Sequence, residues 1–119
     1  MTTLYGISNC DTVRKARRWL DGHGVDYRFH DLRRDGLGRK MLQHWEQRLG
    51  WEQLLNRRGS SWRKLPEEVR DSIDRSSALR IMQQQPSIIR RPLLDDGRQL
   101  HVGFSTGNYG SIFRIKDSA

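Results

Sequence analysis

The chain holds one cysteine, Cys10, and the residues around it decide what that sulfur can do. It stands in Ser8-Asn9-Cys10-Asp11-Thr12, a stretch with the composition of a turn and helix cap. Only a thiolate is a competent sulfur nucleophile, and a free thiol with pKa ~8.5 is mostly protonated at neutral pH. A helix start lowers that value through its unpaired N–H groups and its dipole. Position alone is therefore expected to activate Cys10. Arg14, one helical turn later, could turn toward the same site, and Asn9 and Thr12 could add hydrogen bonds. The competing reading is a small buried filler, the usual fate of an isolated cysteine. Flanking Asn and Asp at a strand-to-helix turn argue against it. Position 13, where a C-x-x-C pair would carry its second thiol, is Val13. Disulfide chemistry must then pass through a mixed disulfide with an external thiol, such as glutathione or a protein.

The elements that must hold this turn are legible on either side. Thr2 to Ile7 is apolar and β-prone and reads as a buried strand. A helix is expected from about Thr12 to His23, with Val13, Ala16, Trp19 and Leu20 on one buried face and Gly22 and Gly24 as its stop. Val25 to Asp31 alternates and reads as a second strand, parallel to the first by the βαβ rule. After a polar loop, Lys40 to Leu49 forms a helix with Met41, Leu42, Trp45 and Leu49 inward. A short turn over Trp51 to Leu55 follows. Asn56 to Ser61 is a basic loop, Trp62 to Leu65 begins another element, and Pro66-Glu67-Glu68 opens a helix. Ser76 or Ser77 is expected to cap a helix over Ala78 to Gln84. Pro86 to Leu94 is a strand-rich region, Asp95-Asp96-Gly97 a hairpin turn, and Arg98 to Phe104 the partner strand. Ser105 to Asn108 caps a last helix over Tyr109 to Arg114. The order is β-α-β, then helices, then β-β-α. It implies an α/β fold with a thioredoxin-like mixed sheet in one domain, residues 1–119, with a helical insertion at about 39–85.

Composition sets the remaining bounds. The 119 residues suit one domain, and 34% hydrophobic content with periodic apolar segments indicates a folded chain. No apolar run approaches the ~20 residues of a membrane helix. The N-terminus has no secretory pattern, and a single cysteine suits a reducing cytoplasm. The net charge is +8, from 22 Lys+Arg against 14 Asp+Glu, which favours anionic partners: oxyanions, glutathione carboxylates or acidic proteins. The basic residues are scattered, and any one cluster reads first as solvated surface.

Four blocks carry a resemblance that spans nearly the whole chain. They are Leu4-Tyr5-Gly6-Ile7-Ser8-Asn9-Cys10-Asp11-Thr12-Val13-Arg14-Lys15-Ala16, Leu54-Leu55-Asn56-Arg57-Arg58-Gly59 with Trp62, Pro86-Ser87-Ile88-Ile89-Arg90-Arg91-Pro92, and Val102-Gly103-Phe104. With order and spacing intact, they resemble the arsenate reductase (ArsC)-like family, above all its Spx/YffB-type branch. The resemblance implies a thioredoxin-like fold with a helical insert and Cys10 as the nucleophile. It also implies Arg91 as an oxyanion-holding arginine beside the sulfur, before a cis Pro92. In arsenate reductases the cysteine attacks arsenate, and the product is resolved by glutathione through glutaredoxin. Here Asn56 falls near a second oxyanion arginine, with Arg57 and Arg58 after it. Uncharged Val102 falls near the third, and Gly6 replaces a histidine found in some members. These departures count against arsenate as the substrate. The resemblance favours a glutathione-dependent thiol reductase, with glutathione as co-substrate and no tightly bound cofactor. Cys10, Arg91 and Arg14 would be catalytic; Asn9, Thr12, Arg57, Arg58 and Pro92 would contact substrate. The alternative is a non-catalytic regulator of the Spx type that binds RNA polymerase or another acidic protein. Val13 removes the C-x-x-C switch common in that branch.

Other residues add little. His23, His30, His44 and His101 lack metal-ligand spacing, so no metal site is expected. Trp19, Trp45, Trp51 and Trp62 lie at helical apolar positions and read as core rather than as a base-stacking platform for nucleic acid. Nothing requires more than a monomer.

Overall fold

Leu4 and Gly6 face inward along β1 (Thr3–Gly6) while Thr3 and Tyr5 stay half-buried, the alternation that a strand imposes. The computed structural model describes residues 1–115, which cluster as two compact units. One comprises Met1–Asp31 and the chain from Arg91 onward; the other is Leu32–Arg90. In the first unit β1 leads into α1 (Asp11–Gly22) and then β2 (Arg28–Asp31), which pairs parallel to β1 with Leu4 opposite Phe29. β3 (Leu93–Asp95) runs antiparallel on the other side of β1, with Leu4 opposite Leu94, and β4 (Leu100–Val102) pairs antiparallel with β3. The order is β2-β1-β3-β4, a four-stranded mixed sheet. With α1 and a final helix over Thr106–Phe113, it is the expected thioredoxin-like arrangement.

α1 buries the four residues its periodicity selects: Val13, Ala16, Trp19 and Leu20. Leu4, Ala16, Trp19, Leu20, Leu94 and Tyr109 form one buried cluster, so strand, first helix and last helix share a core. Tyr109 meets Phe104 edge-on at 4.7 Å and Trp19 at 5.7 Å. Ser105 caps the last helix, its hydroxyl accepting from the Asn108 N–H at 3.1 Å. Gly6 matters for a steric reason. A Cβ there would lie 2.8 Å from Val13 Cγ2, so its absence is what lets α1 start this close to β1.

The second strand is shorter than Val25 to Asp31. The Val25 N–H is still bonded to Leu20 O of α1 at 3.0 Å, so ladder pairing begins only when Arg28 N reaches Thr2 O at 2.9 Å. Pro86 to Leu94 is also less regular than expected. Pro86–Ile88 is a 3₁₀ turn, Ile89 makes an isolated bridge to Leu55, and the true strand starts at Leu93. The hairpin turn holds: Asp96 accepts from the Arg98 and Gln99 N–H groups, both at 2.8 Å, and Gly97 takes φ +94°.

The second unit consists mainly of helices: α2 (Arg39–Leu49), α3 (Trp51–Leu54), α4 (Ser60–Arg63), α5 (Glu67–Asp71) and α6 (Arg75–Gln84). The final helix of the first unit is therefore α7. Leu42, Trp45, Leu54, Ala78, Ile81, Met82 and Ile88 are buried in this unit. Trp51 and Trp62 are only half-buried, unlike the core tryptophans Trp19 and Trp45. Neither serine caps α6; Asp74 does. Its carboxylate accepts from Ser77 N at 2.9 Å, and Ser77 Oγ accepts from Asp74 N at 3.0 Å. A carboxylate suits the positive helix end better than a hydroxyl. Among the described residues, no helix is long and apolar enough to cross a membrane.

Candidate active site

The chain leaves β1 in a tight turn closed by Cys10 N donating to Ile7 O at 3.2 Å. Ser8 and Asn9 are thrust into solvent, and Cys10 becomes the N-cap of α1 in extended conformation, φ −102° and ψ 127°. Its carbonyl accepts the first helical bond, from Arg14 N at 2.9 Å. The side chain thus occupies the place where Ser or Asp would normally accept from the first-turn N–H groups.

The half-buried thiol completes no capping hydrogen bond as it stands. Its environment nevertheless favours the anion. Burial pushes the thiol up, but the Val13 N–H, the Arg91 guanidinium and the Thr12 N–H together outweigh it, and Cys10 lies below its ordinary value. Arg91 acts both by charge and by a side-chain hydrogen bond to the sulfur. It is half-buried, precedes buried Pro92 through a cis peptide bond, and stands directly before β3. Pro92 O accepts from Gly103 N at 2.8 Å, which ties this approach to the β3–β4 hairpin.

The structure sorts the expected site residues. Cys10 and Arg91 come together. Thr12 contributes its backbone N–H, not its hydroxyl, and Asn9 is exposed with no hydrogen bond to the sulfur. Arg14 turns the other way. Nη1 pairs with Asp11 Oδ1 at 2.9 Å and Nε bonds Ser8 O at 3.5 Å, so it is not among the groups that lower the thiol. An exposed carboxylate three residues earlier on the same helix captures it more easily than a half-buried sulfur. Arg57 and Arg58 belong to the second unit. Both are exposed; Arg57 lies 5.3 Å from the Trp62 ring, and the Arg58 N–H donates to Asn56 Oδ1 at 3.1 Å. Asn56 therefore shapes its own loop. Val102 pairs with Leu93 in the sheet. The Val13 amide is the contributor that residue types conceal, because a backbone N–H leaves no trace in side-chain identity. Its only signal is its place in the first turn. Among the described residues, no group of three or more His, Cys, Asp or Glu could hold a metal ion.

This arrangement favours the Cys10 thiolate over the thiol and leaves the sulfur partly open to an electrophile. A model of the ArsC family matches residues 5–112. Among solved structures, a YFFB protein is 43% identical with a TM-score of 0.87, over 93% of this chain and 97% of that one. An arsenate reductase (ArsC) related protein from Brucella melitensis is 47% identical with a TM-score of 0.79, over 96% and 95%. The global transcriptional regulator Spx of Streptococcus pneumoniae is 34% identical over 107 residues, covering 88% of this chain and 80% of Spx.

Proposed function

The chain belongs to the ArsC family, and from that premise we propose that it is a thiol-dependent reductase in which Cys10 is the nucleophile and glutathione the resolving thiol. One observation carries the reading: the only sulfur nucleophile sits at the start of α1 with its anion favoured by two backbone N–H groups and Arg91. An arsenate reductase (ArsC) related structure at 47% identity supports the reductase class.

The reaction follows from a lone thiol. The Cys10 thiolate attacks the glutathione sulfur of a mixed disulfide; that S–S bond breaks, the substrate leaves as a thiolate, and a Cys10–glutathione disulfide forms. A second glutathione thiolate, directly or through a glutaredoxin, attacks the glutathione sulfur. Oxidised glutathione leaves, and Cys10 returns as the thiolate. In the net exchange one incoming glutathione loses its thiol proton and joins the glutathione taken from the substrate as oxidised glutathione, and that proton balances the one taken up by the released substrate thiol. Arg91 stabilises sulfur as nucleophile and again as leaving group. No step depends on Arg57 or Arg58. Such a cycle requires a reducing compartment, and we assign the chain to the cytoplasm on that ground.

The test is glutathione-dependent reduction of a glutathionylated peptide, beside the pH profile of Cys10 alkylation. Cys10→Ser should abolish turnover. Arg91→Ala should move the alkylation midpoint upward, and Arg91→Lys should restore part of the shift by charge without the planar fork. An ordinary thiol midpoint in the unmodified protein would refute the reading.

The identity to Spx supports a second reading, a transcriptional regulator that contacts RNA polymerase. Retention of purified RNA polymerase by the immobilised chain, with Cys10→Ser retained as well, would favour it. Failure to retain the polymerase removes it.

A further inference from the structure

A groove of about 660 Å³ opens between α2 and α6, within the second unit. Its floor is apolar: Leu42 is buried and Leu79 half-buried. Its rim is basic, with Arg39 from α2 and Arg75 and Arg80 from α6, all exposed. On α6 the spacing of Arg75, Leu79 and Gln83 puts cation, leucine and carboxamide in one row along the groove. Among the described residues no carboxylate lines it.

The rim charge is only partly met. Glu46 accepts from Arg75 Nε at 2.5 Å. The exposed Asp74 carboxylate is influenced by Arg80, but its close partner is Ser77. Arg39 makes no ion pair among the described residues. An apolar ligand alone would leave three guanidinium groups beside carbon. An isolated inorganic anion would make no use of the leucines. Nucleic acid would need ring surfaces to stack on, and the lining has none. Leucines flanked by cations suit a helix with an apolar stripe and carboxylates beside it.

We propose that the groove between α2 and α6 is a docking site for an acidic amphipathic helix of a partner protein, with its apolar face on Leu42 and Leu79 and its carboxylates at Arg39, Arg75 and Arg80. The chain's net charge of +8 steers such a partner toward it. The site does not rest on Cys10 chemistry. It would give the regulator reading a contact surface, but that reading is tested by polymerase retention and can fail separately.

The probe is a fluorescent peptide of about sixteen residues, helical, with leucines on one face and glutamates elsewhere. One control has the same composition with the leucines scrambled; another carries lysine in place of glutamate. Binding to the full chain is followed by polarisation, and its location by amide chemical shifts. The acidic amphipathic peptide should bind and shift amides of α2 and α6. Binding should weaken with salt as screening shortens from ~10 Å at 0.1 M to ~3 Å at 1 M. Arg39→Glu with Arg80→Glu should weaken it roughly tenfold or more. Leu79→Ser should weaken it too, and Cys10→Ser should not. The proposal is overturned by no binding, by equal binding of the scrambled peptide, by shifts confined to other elements, or by an unchanged affinity in a folded double arginine variant. Self-association that the same arginine changes abolish would assign the groove to a second copy and overturn it as well.

Discussion

Gly6→Ala adds one carbon where β1 faces the first turn of α1. The new Cβ would lie 2.8 Å from Val13 Cγ2 and 3.0 Å from Cγ1. Relaxed carbon contacts begin near ~3.5 Å, so at least about 0.7 Å must be found. Val13 is fully buried, and its β-branched side chain has little rotamer freedom in a helix. The relief must come from moving α1 away from the strand. Overpacking of this kind costs about 1–3 kcal/mol, and at this length each kcal/mol lowers the melting midpoint by about 3–6 °C. Stability is the smaller half of the expectation. The amides that favour the Cys10 anion belong to Thr12 and Val13, in the displaced turn. The thiol should therefore shift upward toward its ordinary ~8.5, and alkylation at neutral pH should slow. Adding Val13→Ala removes both clashing methyl groups and should recover part of the alkylation rate, with a non-additive stability coupling of about 0.5–3 kcal/mol. If Gly6→Ala melts within a degree of the unmodified protein and alkylates with the same pH profile, the close approach has no bearing on the sulfur and the reasoning fails.

Arg14→Ala should leave the pH profile of Cys10 alkylation unchanged, because that guanidinium serves Asp11; an upward move would show that it reaches the sulfur after all. Asp96 should make the fold acid-sensitive in a defined window. Burial pushes its carboxyl up, but the Gln99 N–H, His101 and the Arg98 N–H bring it down to about 2. Because the folded value lies below the unfolded ~3.9, the added stability is present above pH ~4 and fades as pH falls toward 2. It amounts to on the order of 1 kcal/mol after solvent screening, and chemical denaturation of Asp96→Asn across that range should lack this component. Ser105→Ala removes the α7 cap and should cost about 1 kcal/mol by the same measurement. Tyr109→Phe should be neutral or stabilising by up to about 1 kcal/mol, since its buried hydroxyl has no hydrogen-bond partner among the described residues; a clear loss would reveal one.

Sequence periodicity captured what burial dictates. The four inward residues of α1 and the mixed pairing of the strands follow from spacing, helix stops and the handedness of βαβ units. It was weaker where one backbone donor had two possible acceptors. Val25 looks like a strand residue, yet its N–H is held by the end of α1. Ile88 and Ile89 are both buried, so they cannot display the alternation that distinguishes a strand from the short turn Pro86 begins. At α6 both partners of the reciprocal cap, Asp74 and Ser77, are cap-forming types, and only geometry assigns their roles. The site divides in the same way. Cys10 was legible because its place between strand and helix fixes its surroundings. Arg91 emerged only from family resemblance, since no local pattern links it to residue 10. Arg14 pairs with Asp11 rather than the sulfur, and proximity along a helix does not disclose which acid claims a guanidinium.

Arg91 reaches Cys10 from a distant part of the chain, just ahead of β3. An amino-terminal fragment ending after β2 would therefore contain the nucleophile without the cation that helps to ionise it. A thiolate-selective reagent should label such a fragment more slowly than the full chain, and recovery of the rate on adding the missing segment would report that the closing hairpin has joined β1.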